Sequence, residues 1–234
     1  MATTYKTLTN NDVASTRTLL HEAIPVTGTI VSGTYASDGN IKNYSHGMFQ
    51  SVYDYPFLSS SANQIFDITV GYASDSSLSG AANTQNSKKI NIYNQMAQVL
   101  VGHDATGSIM NFDQDGDIAA GGTKIKEAIF INFARLLVKD EIKKGSFEIK
   151  LMTGSTPSAR STATMATISD YQATTSYRTN SPAGEFGILY TSSATPNTNS
   201  GVGLIYYQAG VAVLTASIFD GEYGNKGATY DTGS

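Results

Sequence analysis

Cysteine and tryptophan are both absent from the 234 residues. Without cysteine there can be no disulfide and no thiolate metal site, which removes small stapled domains, zinc ribbons and cysteine nucleophiles from consideration. Charge is also scarce: charged residues make up 15% of the chain, against roughly 25% in an average soluble protein. Net charge is −4, and sequence-independent nucleic-acid binding needs a basic face to displace counterions. Lys and Arg do gather between Lys124 and Lys150, but Glu127, Asp140, Glu141 and Glu148 lie among them, as on a solvated hairpin. No apolar run approaches the roughly 18 residues of a membrane span, and MATTYKTLTNNDVAS lacks the basic-then-apolar order of a signal peptide. The expectation is a soluble chain, not exported by the ordinary route, with no membrane or nucleic-acid partner.

Ser, Thr, Asn, Gly and Tyr take the place of charge, and a chain of this length can bury a real core as one large domain or two small ones. Lys88 to Thr153 organises it. From residue 90 to residue 101, Ile92, Tyr93, Met96, Ala97, Val99 and Leu100 recur at steps of three and four, which predicts one short amphipathic helix. Ser87 is placed to cap its start and Gly102 to end it. A twelve-residue helix is marginal in water and must lean on a sheet.

Ala128 to Leu137 is apolar on both pleat faces, and its Ile and Phe content favours a central strand over a buried helix. Phe147, Ile149 and Leu151 alternate with Ser146, Glu148, Lys150 and Met152, a strand with one wet face. The charged KDEIKKG between these two strands reads as a hairpin turn.

The remaining segments are shorter. Residues 1–15 read as a polar arm. Arg17–Ala23 and Val26–Ser32 are predicted short strands, residues 34–48 a loop, and Phe49–Phe57 a helical turn ended by Pro56. Gln64–Ala73 alternates as a half-buried strand, followed by a loop over residues 74–87. From Gly154 to Ser200 the only charged residues are Arg160, Asp170, Arg178 and Glu185, with apolar islands at Met165–Ile168 and Phe186–Tyr190. Leu204–Tyr207 and Val211–Leu214 flank Gln208-Ala209-Gly210 as a second hairpin, and Ala216–Phe219 closes the patterned region. The expected fold is therefore mainly β, antiparallel hairpins packed as a sandwich-like sheet with one helix. Its parts are an arm (1–15), a β-rich core (16–153, helix 90–101) and a Ser/Thr-rich β segment (154–234) that continues the same domain or leads to a further C-terminal part. Ser234 falls in open loop chemistry, which raises the expectation of a longer natural polypeptide.

Candidate chemistry is sparse. Asp113, Asp115 and Asp117 in FDQDGDI follow the opening of a calcium loop, in which alternate carboxylates converge on a hard cation. The sixth position is Ile118 in place of Gly and the twelfth Lys124 in place of Glu, so an exposed Asp-Gly turn is the default and the cation stays open. Gly116–Lys124 has the texture of a phosphate loop, but Thr123 precedes the lysine and a strand is expected after it. The histidines are His21, His46 and His103; His103 beside Asp104 falls at the helix end, where a structural role is favoured. Tyr206 and Tyr207 fall on opposite faces of one strand, one for the core and one for solvent. No catalytic, cofactor-binding or metal residue is nominated, so no enzyme activity is expected.

The strings INIYNQMAQVL, FDQDGDI, KIKEAIFINFARLLVKDEIKKGSFEIKL, NSPAGEFGILYTSS and GVGLIYYQAGVAVLTASIF resemble those of virion structural proteins of contractile-tailed marine cyanophages. So do TLLHEAIPVTGTIVSGTY and FQSVYDYPFLSSSANQIFDITVGY, and the likeness spans most of residues 7–220. It implies a structural component of the tail or baseplate, assembled in the host cytoplasm, whose partners are other virion proteins and copies of itself. It implies no cofactor and transfers no functional residues. The alternative is a receptor-binding module whose Tyr- and Asn-bearing loops between residues 154 and 200 contact host glycans.

Overall fold

The computed structural model describes residues 39–80, 86–118, 121–134, 140–154, 160–191 and 201–219, with the backbone alone for 152–154 and 160–166. In chain order the elements are β1 (Ile41–Asn43), β2 (Gln50–Tyr53), β3 (Gln64–Tyr72), a 3-10 turn (Ser77–Gly80), α1 (Asn86–Leu100), β4 (Phe112–Asp113), β5 (Lys124–Ile125) and β6 (Glu127–Phe133). There follow β7 (Glu148–Gly154), β8 (Arg160–Ser169), β9 (Arg178–Ser181), β10 (Gly184–Thr191), β11 (Gly201–Tyr206), β12 (Val211–Thr215) and a second 3-10 turn (Ala216–Phe219). Ten strands form one antiparallel sheet in the order β1-β2-β3-β6-β12-β11-β10-β8-β7, with β9 also on β10, while β4 and β5 make a separate ribbon. The chain is thus mainly β with one helix, and strands from both sides of residue 154 share one sheet.

The pleat sorts side chains onto two faces. The register row Ser51–Asp67–Asn132–Val211–Tyr206–Phe186 crosses the sheet on the face that α1 and the β4–β5 ribbon cover. The neighbouring row Ile68–Ile131–Ala212–Ile205 points to the far face. There, Ile142, Phe147 and Ile218 lie over it, with Ile149 and Leu151 of β7 packed alongside. β8 meets β10 through only two register pairs, Tyr190–Ser169 and Thr191–Ile168. The sheet folds at that corner, so that Phe147, just ahead of β7, reaches Phe133 of β6 with ring centroids 5.8 Å apart. A sandwich-like second layer results.

Two packing details hold α1 down. Ile92, Tyr93, Ala97 and Leu100 are its buried residues, and Gly71 of β3 lies beneath them. A methyl group at Gly71 would fall 2.9 Å from both the Lys89 carbonyl and the Tyr93 nitrogen, closer than any side chain tolerates. At the other end, Gly102 adopts φ 96° and its N–H, like that of Val101, reaches the Ala97 carbonyl (2.9 and 2.8 Å), a left-handed stop that glycine provides.

Several expectations need correction. β6 and β7 are not a hairpin: β6 pairs with β3 and β12, and β7 with β8. Of the described residues between them, fully buried Ile142 lies over the far face and donates its N–H to the Tyr207 carbonyl at 3.0 Å. Burying Ile142 outweighs a tight turn. Phe49–Phe57 holds strand β2 and no helical turn, because its backbone pairs with β1 and β3. Residues 34–48, expected as a loop, contain β1. The helix begins at Asn86, which places Ser87 inside its first turn, and Val99 is 64% exposed. The arm and the two strands expected before residue 33 lie outside the described residues.

Candidate functional site

The acidic loop is mounted on the most aromatic part of the core. Phe112 of β4 meets Tyr93, Phe130 and Tyr206 with centroids 5.4, 5.7 and 6.4 Å away. The Tyr93 hydroxyl donates to the Ile125 carbonyl (2.7 Å) and accepts from the Phe112 N–H (3.3 Å), tying the helix to both strands of the ribbon. Asp113, next along β4, is therefore carried inward and is 1% exposed. It sits opposite Lys124 in the register, and the lysine ammonium pairs with its Oδ2.

From Asp113 the chain turns outward. The Gly116 N–H reaches the Asp113 carbonyl at 3.3 Å, and the Asp117 N–H reaches Asp115 Oδ1 at 3.2 Å. Asn180 of β9 donates its amide to the carbonyls of Asp117 (3.0 Å) and Gly116 (3.3 Å). Gly116 and Ile118 both take left-handed backbone conformations, φ 69° and 61°. One carboxylate oxygen each from Asp113, Asp115 and Asp117 lies within 4.8 Å of the other two, with Asp113 buried, Asp115 half-buried and Asp117 exposed. Burial pushes the Asp113 carboxyl above its usual range, with Asp115 adding to the rise and Lys124 opposing it. The sequence pattern located this cluster; it gave no sign of Asn180 or of the Lys124 pairing, which come from distant strands.

A second feature is a cleft on the helix face, between α1 and the β1–β2 turn. Two adjoining hollows of about 290 and 260 Å³ share Met48, Phe49 and Thr69 as lining. Asp67 and Asn132 face each other across β3 and β6 on its floor, and Gln95 and Met96 form the helix wall. Ser51 donates to Asp67 Oδ1 at 2.5 Å, as does Gln64 at 2.6 Å. Nothing in the sequence pattern singled out this cleft, because its residues are far apart in the chain.

The other sequence candidates have local roles. Asp104 Oδ1 accepts from the N–H groups of Thr106 (2.8 Å) and Ser108 (2.9 Å), so it closes its own turn and does not orient His103. His46 stacks on Tyr44 at 5.2 Å, and His21 lies outside the described residues. Lys124 begins strand β5, whereas a phosphate loop runs into a helix at that place. The reading of Tyr206 and Tyr207 as one buried and one exposed is corrected: both are fully buried, since β11 is covered on each face. Described lysines in the basic stretch pair with acids, Lys126 with Asp75 (2.9 Å), Lys144 with Glu185 (2.5 Å) and Lys150 with Glu148 (3.2 Å).

The residue that pattern reading missed is Asp170. It is fully buried at the end of β8 and accepts from the Gly145 N–H (2.8 Å), the Phe147 N–H (2.9 Å) and the Tyr207 hydroxyl (2.9 Å). All three partners are structural, so the group is an anchor. Among the described residues no helix is long and apolar enough to cross a membrane. Compared with protein-family models, with curated proteins and with solved structures, the chain shows no match.

Proposed function

We propose that this chain is a structural subunit of a phage virion, a tail or baseplate component that works through contacts with other virion proteins and with copies of itself. One observation carries the reading beyond the sequence resemblance. At the β1 end of the sheet the side chains of Met48, Phe49, Tyr55 and Leu58 are exposed, Leu58 by 88%. Among the described residues β1 is hydrogen-bonded on one side only. A strand edge unpaired among the described residues, beside exposed apolar side chains, suits pairing with a neighbour. Permanent interfaces of this kind bury more than about 2,000 Å² in total.

Cryo-EM of intact particles tests the proposal. Density for this chain in the tail or baseplate, with the β1 end against a neighbouring subunit, is expected. Purified virions that lack the chain altogether would end it. In a second reading, host-glycan recognition, the cleft is the favouring feature, because it sets amide, carboxylate and hydroxyl groups beside the exposed Phe49 ring. Glycan-array binding that Asn132→Ala abolishes would favour that reading, and silence on the array would remove it.

A further inference from the structure

We propose that Asp113, Asp115 and Asp117 form a binding site for a hard divalent cation of the calcium class. The first ground is an unmatched atom. The Asp113 side chain is wholly covered, its Oδ2 is taken by Lys124, and its Oδ1 has no hydrogen-bond donor. A buried carboxylate oxygen without a donor is costly, and native structures leave few of them. A cation would supply that oxygen with a partner.

The second ground is distance. Oxygens bound to one calcium ion lie 2.3–2.6 Å from it, so two of them are at most about 5 Å apart. The three carboxylate oxygens here are mutually within 4.8 Å, inside that pairwise limit. The gradient from buried Asp113 through half-buried Asp115 to exposed Asp117 leaves the cluster an open mouth and a closed end. An ion could enter without unfolding the loop.

The backbone gives the third ground: Ile118 is the one non-glycine residue with positive φ among the described residues. It occupies the sixth place from Asp113, where calcium loops need that conformation and normally use glycine. The loop departs from that pattern at its twelfth place, where Lys124 replaces a bidentate glutamate. Its ammonium on Asp113 Oδ2 places a positive charge beside the site, so binding should be weak, with Kd on the order of 10⁻⁴ to 10⁻³ M as in extracellular calcium modules.

Isothermal titration of the full chain with CaCl2 and with MgCl2, paired with thermal melts in EDTA and in calcium, decides the matter. The expected result is one calcium site per chain and a melting temperature raised by a few degrees at saturation. Asp115→Asn and Asp117→Asn, at the open side of the loop, should each weaken calcium binding at least about tenfold while melting like the parent in EDTA. Lys124→Gln should bind calcium more tightly, because it removes the positive charge beside the site. If the parent shows neither heat nor a melting shift with either ion at about 10 mM, an order above the expected Kd, the proposal is overturned. It is equally overturned if Asp115→Asn and Asp117→Asn bind calcium as the parent does.

Discussion

The Tyr207 hydroxyl donates to Asp170 Oδ2 at 2.9 Å, and the same carboxylate accepts the N–H groups of Gly145 and Phe147. One side chain just past β8 thereby joins the chain ahead of β7 to the end of β11. Asp170→Ala would leave the buried Phe147 N–H, the Gly145 N–H and the Tyr207 hydroxyl without this acceptor. A loss of about 3–5 kcal/mol is expected, read as a lower urea midpoint at unchanged slope.

Burial raises the Asp170 carboxyl above its ordinary value, against the pull of its three donors. The folded state then holds the proton more firmly than the unfolded chain does. This group's contribution to stability is therefore greatest below about pH 4, the unfolded value, and falls as pH rises through the folded value. The stability difference between the parent and Asp170→Asn should shrink across that window in urea titrations. A difference that grows with pH would contradict the assignment.

Adjacent tyrosines should respond oppositely to loss of the hydroxyl. Tyr207→Phe removes a donor from a buried carboxylate and should cost about 1–3 kcal/mol. The Tyr206 hydroxyl is buried and has no hydrogen-bond partner, so Tyr206→Phe should be neutral or stabilising by up to about 1 kcal/mol. Thermal melts of the two variants side by side compare them directly.

Gly71→Ala should separate α1 from β3. Its new methyl meets backbone atoms of the helix at 2.9 Å, and backbone cannot rotate away. A cost of about 1–3 kcal/mol is expected, a fall of roughly 2–4 °C in Tm for each kcal/mol in a chain of this size. Gly80→Ala, which meets nothing within 4 Å, serves as the control.

Much of the fold was legible locally. The alternation of Phe66, Ile68 and Val70 marked β3, the two-faced run from Ala128 marked a central strand, and Gln208-Ala209-Gly210 marked the β11–β12 hairpin. Each rests on a period or a turn within a few residues. The β6–β7 connection misled because a charged, glycine-ended segment has hairpin chemistry whether or not its flanking strands pair. Ile142 alone hinted otherwise. Asp170 was invisible for a similar reason: its donors are at Gly145, Phe147 and Tyr207, and no local pattern connects them.

The amino-acid order by itself marked β3, α1, β6, β7 and the β11–β12 hairpin, since pleat and helix periods are properties of neighbouring residues. It also placed Asp113, Asp115 and Asp117 at alternate positions of one short loop. Only the tertiary structure decided that β12 lies between β6 and β11, that Tyr206 and Tyr207 are both covered, and that Asp113 Oδ1 is shut away from every donor. Those outcomes depend on contacts between residues remote in the chain, where burying apolar surface selects one pairing among many that local pattern permits.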